Sequence, residues 1–205
     1  MRIVQQAVKL ECATADPQEV IEQAGRTCYR SEEKAGEGTA GPFCRMLIAR
    51  GHCSVLEHAT ATFRIVCDRG VSHELVRHRL ASYSQESTRF CNYSKEQFGR
   101  EITVIRPVFF VPDTTNYNIW AKACWIAERN YFDLLDIGAT PQEARAVLPN
   151  SLKTEIVMTA NLREWHHVLK LRTSKAAHPQ MRQVMVPLLA EFKRGLAPIF
   201  DDIQD

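Results

Sequence analysis

The sequence predicts an α+β fold: a single domain with a central, mostly antiparallel sheet and long helices. Three observations carry this expectation. Apolar residues make up 45% of a 205-residue chain, enough for a core of ordinary domain size. Strand-like runs occur at 60–68, 100–109 and 152–160. Between them lie segments of helical periodicity, several opened by capping signals and closed by glycine or proline.

In chain order, "MRIVQQAVKLECA" (1–13) reads as a first strand. Asp16 is placed as the N-cap of a helix with Pro17 at its first position and Glu19 at its third, running to about Arg26. "EEKAGEGTAGP" (32–42) is a Gly-rich polar loop. A helix follows over 43–52 and stops at Gly51. "TATFRIVCD" (60–68) is a strand with Ala61, Phe63, Ile65 and Cys67 on one face. Ser72 is expected to cap a short helix through Arg79. "REITVIRPVF" (100–109) is a strand ended by Pro107. The longest helical pattern spans 115–138 and closes at Gly138. Thr140, Pro141 and Glu143 form a capping box for a helix reaching about Val147 and stopping at Pro149. "LKTEIVMTA" (152–160) is a strand, and helices are expected over 162–171 and 179–195.

Composition narrows the function. Twenty-six Lys and Arg against 24 Asp and Glu give a net charge of +2. That is no strong global field, and it argues against a dedicated nucleic-acid binder. Basic residues do gather from Arg163 to Arg194. No apolar run approaches the ~18 residues that would cross a membrane, and the N-terminal segment has no long apolar stretch of the secretory type. A cytoplasmic protein is expected. The seven cysteines include no C-x-x-C pair, so no zinc site is expected and most are read as small buried apolar residues. His52 and His58 flank Glu57, yet no further ligand cluster lies near them; core or helix-end roles fit better than a metal. Trp120, Trp125, Tyr131 and Phe132 read as core or subunit interface.

The stretch "RHRLASYSQESTRF" (77–90) concentrates charge. In a helix, Arg77 and Arg79 would point about 200° apart and could not share one small anion from one face. Cations closing a helix also stabilise its dipole, by about 0.3–1 kcal/mol. The polar run from Gln85 to Arg89 makes a poor core strand. It suits a loop offering hydroxyls, backbone N–H groups and a guanidinium to a phosphate.

Arg77-His78-Arg79, seven residues, then Ser87 resembles the signature of flavin-dependent thymidylate synthases, and the match continues to Arg89 and Phe90. "AGRTCYRS" (24–31), "GHCSVLEHA" (51–59), "EARAVLP" (143–149) and "ANLREWHHVLKLR" (160–172) resemble further blocks of that family, in order and at fitting separations. The resemblance implies conversion of dUMP to dTMP. Methylenetetrahydrofolate would supply the one-carbon unit, FAD the hydride, and NADPH the electrons that reduce the flavin. It also implies a homotetramer with sites shared between subunits.

By the same resemblance, Ser54, Arg77, His78, Arg79, Gln85, Asn161, Arg163 and His167 would contact FAD. Glu74, Arg77, Gln85, Glu86, Ser87, Thr88, Arg89, Arg145 and Arg172 would line the dUMP site. Arg172 would be the catalytic residue, favouring ionisation at uracil N3. Of the pair His166-His167, the family spacing picks His167, and His166 is expected on the exposed side. No His–acid pair activates Ser87, so it is read as a ligand rather than a nucleophile. Many relatives have Asn-Glu where this chain has Ser84-Gln85, and Gly in place of Thr88. Two alternatives stay open: a related flavin-dependent methylase or hydroxymethylase of UMP, dUMP or dCMP, and a basic nucleic-acid-binding module.

Overall fold

A computed structural model describes residues 1–196 and 198–204. It is α+β, with an antiparallel sheet and several helices. Strands β1 (Arg2–Val4), β2 (Ala7–Ala13), β3 (Thr60–Asp68), β4 (Ala81–Gln85), β5 (Thr103–Ile105) and β6 (Lys153–Asn161) form two sheets. The larger has the order β2-β3-β6-β4, and in the smaller β1 pairs in parallel with β5. The helices are α1 (Pro17–Thr27), α2 (Ala40–Ala49), α3 (Arg69–Leu75), α4 (Thr115–Asp136), α5 (Pro141–Ala144), α6 (Leu162–Arg172) and α7 (Pro179–Leu196).

The chain divides into two compact units. One comprises Met1–Ala7, Ile65–Arg77 and Ser84–Ile156; the other comprises Val8–Arg64, His78–Tyr83 and the chain from Val157. In the first unit, Tyr93, Ile102, Val104, Cys124, Tyr131 and Leu152 form the core, with Trp120 and Phe132 packed against it. In the second, the aromatic rings of Phe63, Trp165, Phe192 and Phe200 stack in sequence, with neighbouring centroids 4.5–5.4 Å apart. Trp165 also donates its indole N–H to the Ala61 carbonyl at 2.9 Å, so the largest core side chain leaves no polar group stranded.

Several local expectations are corrected. The first strand splits at Gln5-Gln6, because β1 and β2 belong to different sheets. Asp16 does precede α1, but with left-handed backbone (φ 45°) and no side-chain capping bond; its carbonyl takes the Glu19 and Val20 amides instead. Helix α2 begins at Ala40, so Gly41 and Pro42 form its first turn rather than a loop. Ser72 caps nothing. The Asp68 carboxylate accepts the Val71 amide at 2.7 Å and starts the helix four residues earlier, while Ser72 donates back to the Arg69 carbonyl.

That helix ends at Leu75, so Arg77, His78 and Arg79 are not helical and the argument from opposed helix faces does not apply to them. Gln85, expected to open a polar loop that runs to Arg89, is instead the last residue of β4, a strand that no expectation covered. Of the seven cysteines only Cys44, Cys67 and Cys124 are buried; Cys12 and Cys28 are exposed. Burial pushes the Cys44 and Cys124 thiols up to about 11, which keeps them protonated and therefore unreactive at neutral pH. Among the described residues, no helix is long and apolar enough to cross a membrane.

Candidate functional site

The R-H-R segment is sorted by burial. His78 is buried, 6% exposed, and both flanking arginines face solvent. A buried imidazole needs partners for two nitrogens. Helix α6 supplies them. The Arg172 Nε–H, from the last residue of α6, donates to His78 Nε2 at 3.0 Å. Two turns earlier, Glu164 Oε1 lies 3.7 Å from His78 Nδ1. The His167 ring, on the same helix, stands edge-on to that of His78 with centroids 5.9 Å apart.

The spacing 164, 167, 172 puts these three groups near one side of α6. Asn161 fixes the helix start, its Oδ1 accepting the Glu164 amide at 2.8 Å. Tyr83, from β4, donates its hydroxyl to the His78 carbonyl at 2.9 Å. Burial, then the Arg172 cation and His167, push the His78 imidazole down to about 4. It is therefore neutral at physiological pH despite the nearby Glu164 carboxylate.

A cavity of about 340 Å³ lies in this second unit, lined by Tyr29, His52, Cys53, Ser54 and Arg163 among others. Two of the predicted FAD ligands, Ser54 and Arg163, therefore meet at one cavity. Arg163 is paired there with the Glu57 carboxylate, and both side chains are about half exposed. Such a pair is worth at most about 1 kcal/mol and can exchange for another anion. Tyr29 and His52 were not among the predicted ligands; the Tyr29 hydroxyl and His52 Nδ1 lie 3.0 Å apart. Their presence in the blocks "RTCYR" and "GHCS" was the available signal. The distribution of the histidine pair differs from expectation. His166 is half-buried against Phe200 and bonded to Asp202 at 2.8 Å, whereas His167 is exposed.

The first unit holds the other predicted set. Gln85, the last residue of β4, donates its amide N–H groups to Ser72 Oγ at 2.9 Å and Thr154 Oγ1 at 3.2 Å. The Glu86 amide continues the ladder onto the Glu155 carbonyl, and its carboxylate accepts from Lys153 at 3.0 Å and Tyr93 at 3.1 Å. Burial opposes the Lys153 charge, but the Glu155 and Glu86 carboxylates outweigh it and raise its pKa.

After Glu86 the chain turns. The Phe90 and Cys91 amides both bond to the Ser87 carbonyl, and Ser87 Oγ accepts the Arg89 amide at 3.3 Å. Arg89 Nε reaches Gln142 at 3.2 Å, and Arg145 reaches the Thr88 hydroxyl at 3.5 Å. Thr88 and Arg145 line a cavity of about 400 Å³ together with Arg69, His73 and Asn150. The last three were missed in the sequence; His73 falls on the helix just before Glu74, with no pattern to single it out. Glu74 and Arg77 belong to this same unit. The structure thus groups the Arg69 and Arg145 cations, the Thr88 hydroxyl and the Asn150 amide around one cavity, a donor set suited to a phosphorylated ligand.

Residues 9–198 match the family described as thymidylate synthase complementing protein. A protein named flavin-dependent thymidylate synthase from Geobacter sulfurreducens is 36% identical over 197 residues, with 92% of this chain and 83% of the relative covered. One of the same name from Pyrococcus abyssi is 35% identical over 195 residues, covering 91% and 79%. Among solved structures, a UMP/dUMP methylase from Streptomyces cacaoi, bound with 5-Br dUMP, superposes with a TM-score of 0.77 over 95% of this chain and 93% of its own. Its sequence identity is 23%, so it speaks for the fold.

Proposed function

This chain belongs to the thymidylate synthase complementing protein family, that of the flavin-dependent thymidylate synthases, and we propose that it converts dUMP to dTMP with methylenetetrahydrofolate as one-carbon donor. The observation that carries the proposal is the position of the signature: His78 of the R-H-R motif is buried and bonded to Arg172, the residue the family resemblance assigns to catalysis. The flavin, FAD, supplies the hydride and is itself reduced by NADPH.

The residues fit such a cofactor. Ser54 and Arg163 offer a hydroxyl and a cation at one cavity, suited to a diphosphate. His78, Arg79, Asn161 and His167 complete the set from the same unit, and the family resemblance adds Arg77 and Gln85. Arg89, Arg145, Ser87 and Thr88 hold the dUMP phosphate. Glu74, Arg77, Gln85 and Glu86 line the rest of the nucleotide. Arg172 lies against the uracil and favours the N3 anion, which makes C5 more nucleophilic. A fixed cation beside developing charge is worth about 3 kcal/mol in a dry site.

The enzyme is a cytoplasmic homotetramer whose sites draw on more than one subunit. Support comes from large apolar side chains left exposed beside the motifs: Leu80 and Phe90 are each 77% exposed. The test is the product. Incubation with methylenetetrahydrofolate, NADPH and each of dUMP, UMP and dCMP should yield a methylated nucleotide from dUMP, identified by mass. A product from UMP or dCMP alone, or a hydroxymethyl product, would overturn the assignment. So would a colourless protein that binds nucleic acid and no flavin.

A further inference from the structure

We propose that His78 is a positioning residue for Arg172: carrying its single proton on Nδ1, it offers Nε2 as the acceptor that fixes the guanidinium. The inference rests on the role proposed for Arg172 at the uracil, and it adds how that side chain is held. Arginine has five N–H donors and no acceptor. The 3.0 Å contact between Arg172 Nε and His78 Nε2 therefore requires a lone pair on Nε2. A charged imidazole has none, and neither has the tautomer protonated on Nε2. The proton sits on Nδ1, facing Glu164.

The 3.7 Å separation from Glu164 Oε1 is too long for a hydrogen bond. The carboxylate favours the Nδ1–H tautomer through its field alone. Tyr83 anchors the backbone of His78 through its carbonyl. Among the described residues, the charged and titratable groups in contact with His78 are Glu164, His167 and Arg172 on α6, at the ring, and Tyr83 on β4, at the backbone carbonyl. The contact engages Nε, next to the aliphatic stem. That choice sets the direction of the planar fork from its root. A long arginine side chain has many rotamers, and a contact at Nε restricts them. The imidazole stays neutral because it is buried beside a cation, with a pKa lowered to about 4. Protonating it would place two cations 3.0 Å apart and break the Nε–Nε2 contact.

Nitrogen-15 NMR of the histidine-labelled flavoprotein reads the tautomer directly. At pH 7 the expected spectrum for His78 has a protonated Nδ1 and a bare Nε2, and Arg172→Leu raises the His78 pKa. A proton on Nε2, or a charged ring at pH 7, would overturn the proposal whatever the kinetics show. In turnover, His78→Leu should lower kcat by about 100-fold, the scale set by misplacing a catalytic group by about 1 Å, with the KM for dUMP little changed. His78→Gln keeps an acceptor and should recover part of the loss. Equal losses in the two variants, or a loss accounted for by flavin content measured from absorbance, would also overturn it. Arg172→Ala separates the two ideas: normal dTMP formation there would sink the role of Arg172, while the tautomer would still decide the His78 contact.

Discussion

Arg89 shows how much a single side chain is asked to do. It is exposed, donates to Gln142 at 3.2 Å, and lies with its guanidinium carbon 5.3 Å from the Phe90 ring centroid. If it binds the phosphate, Arg89→Ala removes charge-assisted hydrogen bonds worth about 1.5–3 kcal/mol. The dUMP Kd, read by titrating the flavin spectrum, should rise by about 10- to 100-fold. An unchanged Kd would remove Arg89 from the site. His78 makes a second prediction, in pH. Its folded pKa, about 4, is below the ordinary 6.5. Above pH 6.5 both folded and unfolded chains hold it neutral. As pH falls from 6.5 to 4 the unfolded chain takes the proton and the folded one does not, so stability drops, by up to about 3 kcal/mol. His78→Gln should remove that part of the slope in denaturant melts; an identical slope would contradict the burial argument. The motif itself was plain in the sequence. What the sequence could not show is which of the three residues is buried, because Glu164 and Arg172 lie 86 and 94 positions downstream.

Helix starts decide where the motif residues fall. Asp68 opens α3 by accepting the Val71 amide, and Asp16 precedes α1 with no side-chain bond. Sequence preference places Asp16 as a cap and gives the second helix to Ser72 rather than Asp68; only the local backbone tells the two aspartates apart. Asp68→Ala should cost about 1–2 kcal/mol, lowering the Tm by roughly 2–8 °C for a chain of this size. Asp16→Gly should leave the Tm unchanged or raise it, because glycine tolerates the left-handed backbone better. Similar losses in both would contradict the assignment. Strand β4 was illegible for a related reason. "ASYSQ" has no apolar alternation to mark a strand, and Gln85 reads as the start of a polar loop until it is seen to find Ser72 and Thr154; satisfied polar groups can occupy a strand. The longer elements, α4, α6, α7, β3 and β6, were legible because their apolar spacing repeats over nine residues or more.

At the scale of the molecule, the α+β class and the family followed from ordered motifs that span most of the chain, and residues 9–198 match throughout. The division into two compact units left no trace in composition. Four of its boundaries fall inside β2, β3, β4 and β6, at 7/8, 64/65, 83/84 and 156/157, and the fifth, 77/78, falls inside the R-H-R motif; no run of glycine, proline or serine marks them. The predicted FAD and dUMP ligands sort by unit with few exceptions, Arg77, Gln85 and Arg172 among them. In the proposed reaction, methyl transfer to dUMP draws its hydride from a bound flavin. The most direct measurement is a single turnover without oxygen: the flavoprotein is reduced with NADPH, freed of excess reductant, and mixed with dUMP and methylenetetrahydrofolate. Flavin absorbance should return as dTMP appears, in equal amounts. Formation of dTMP while the flavin stays reduced, or reoxidation with no dTMP, would contradict the account.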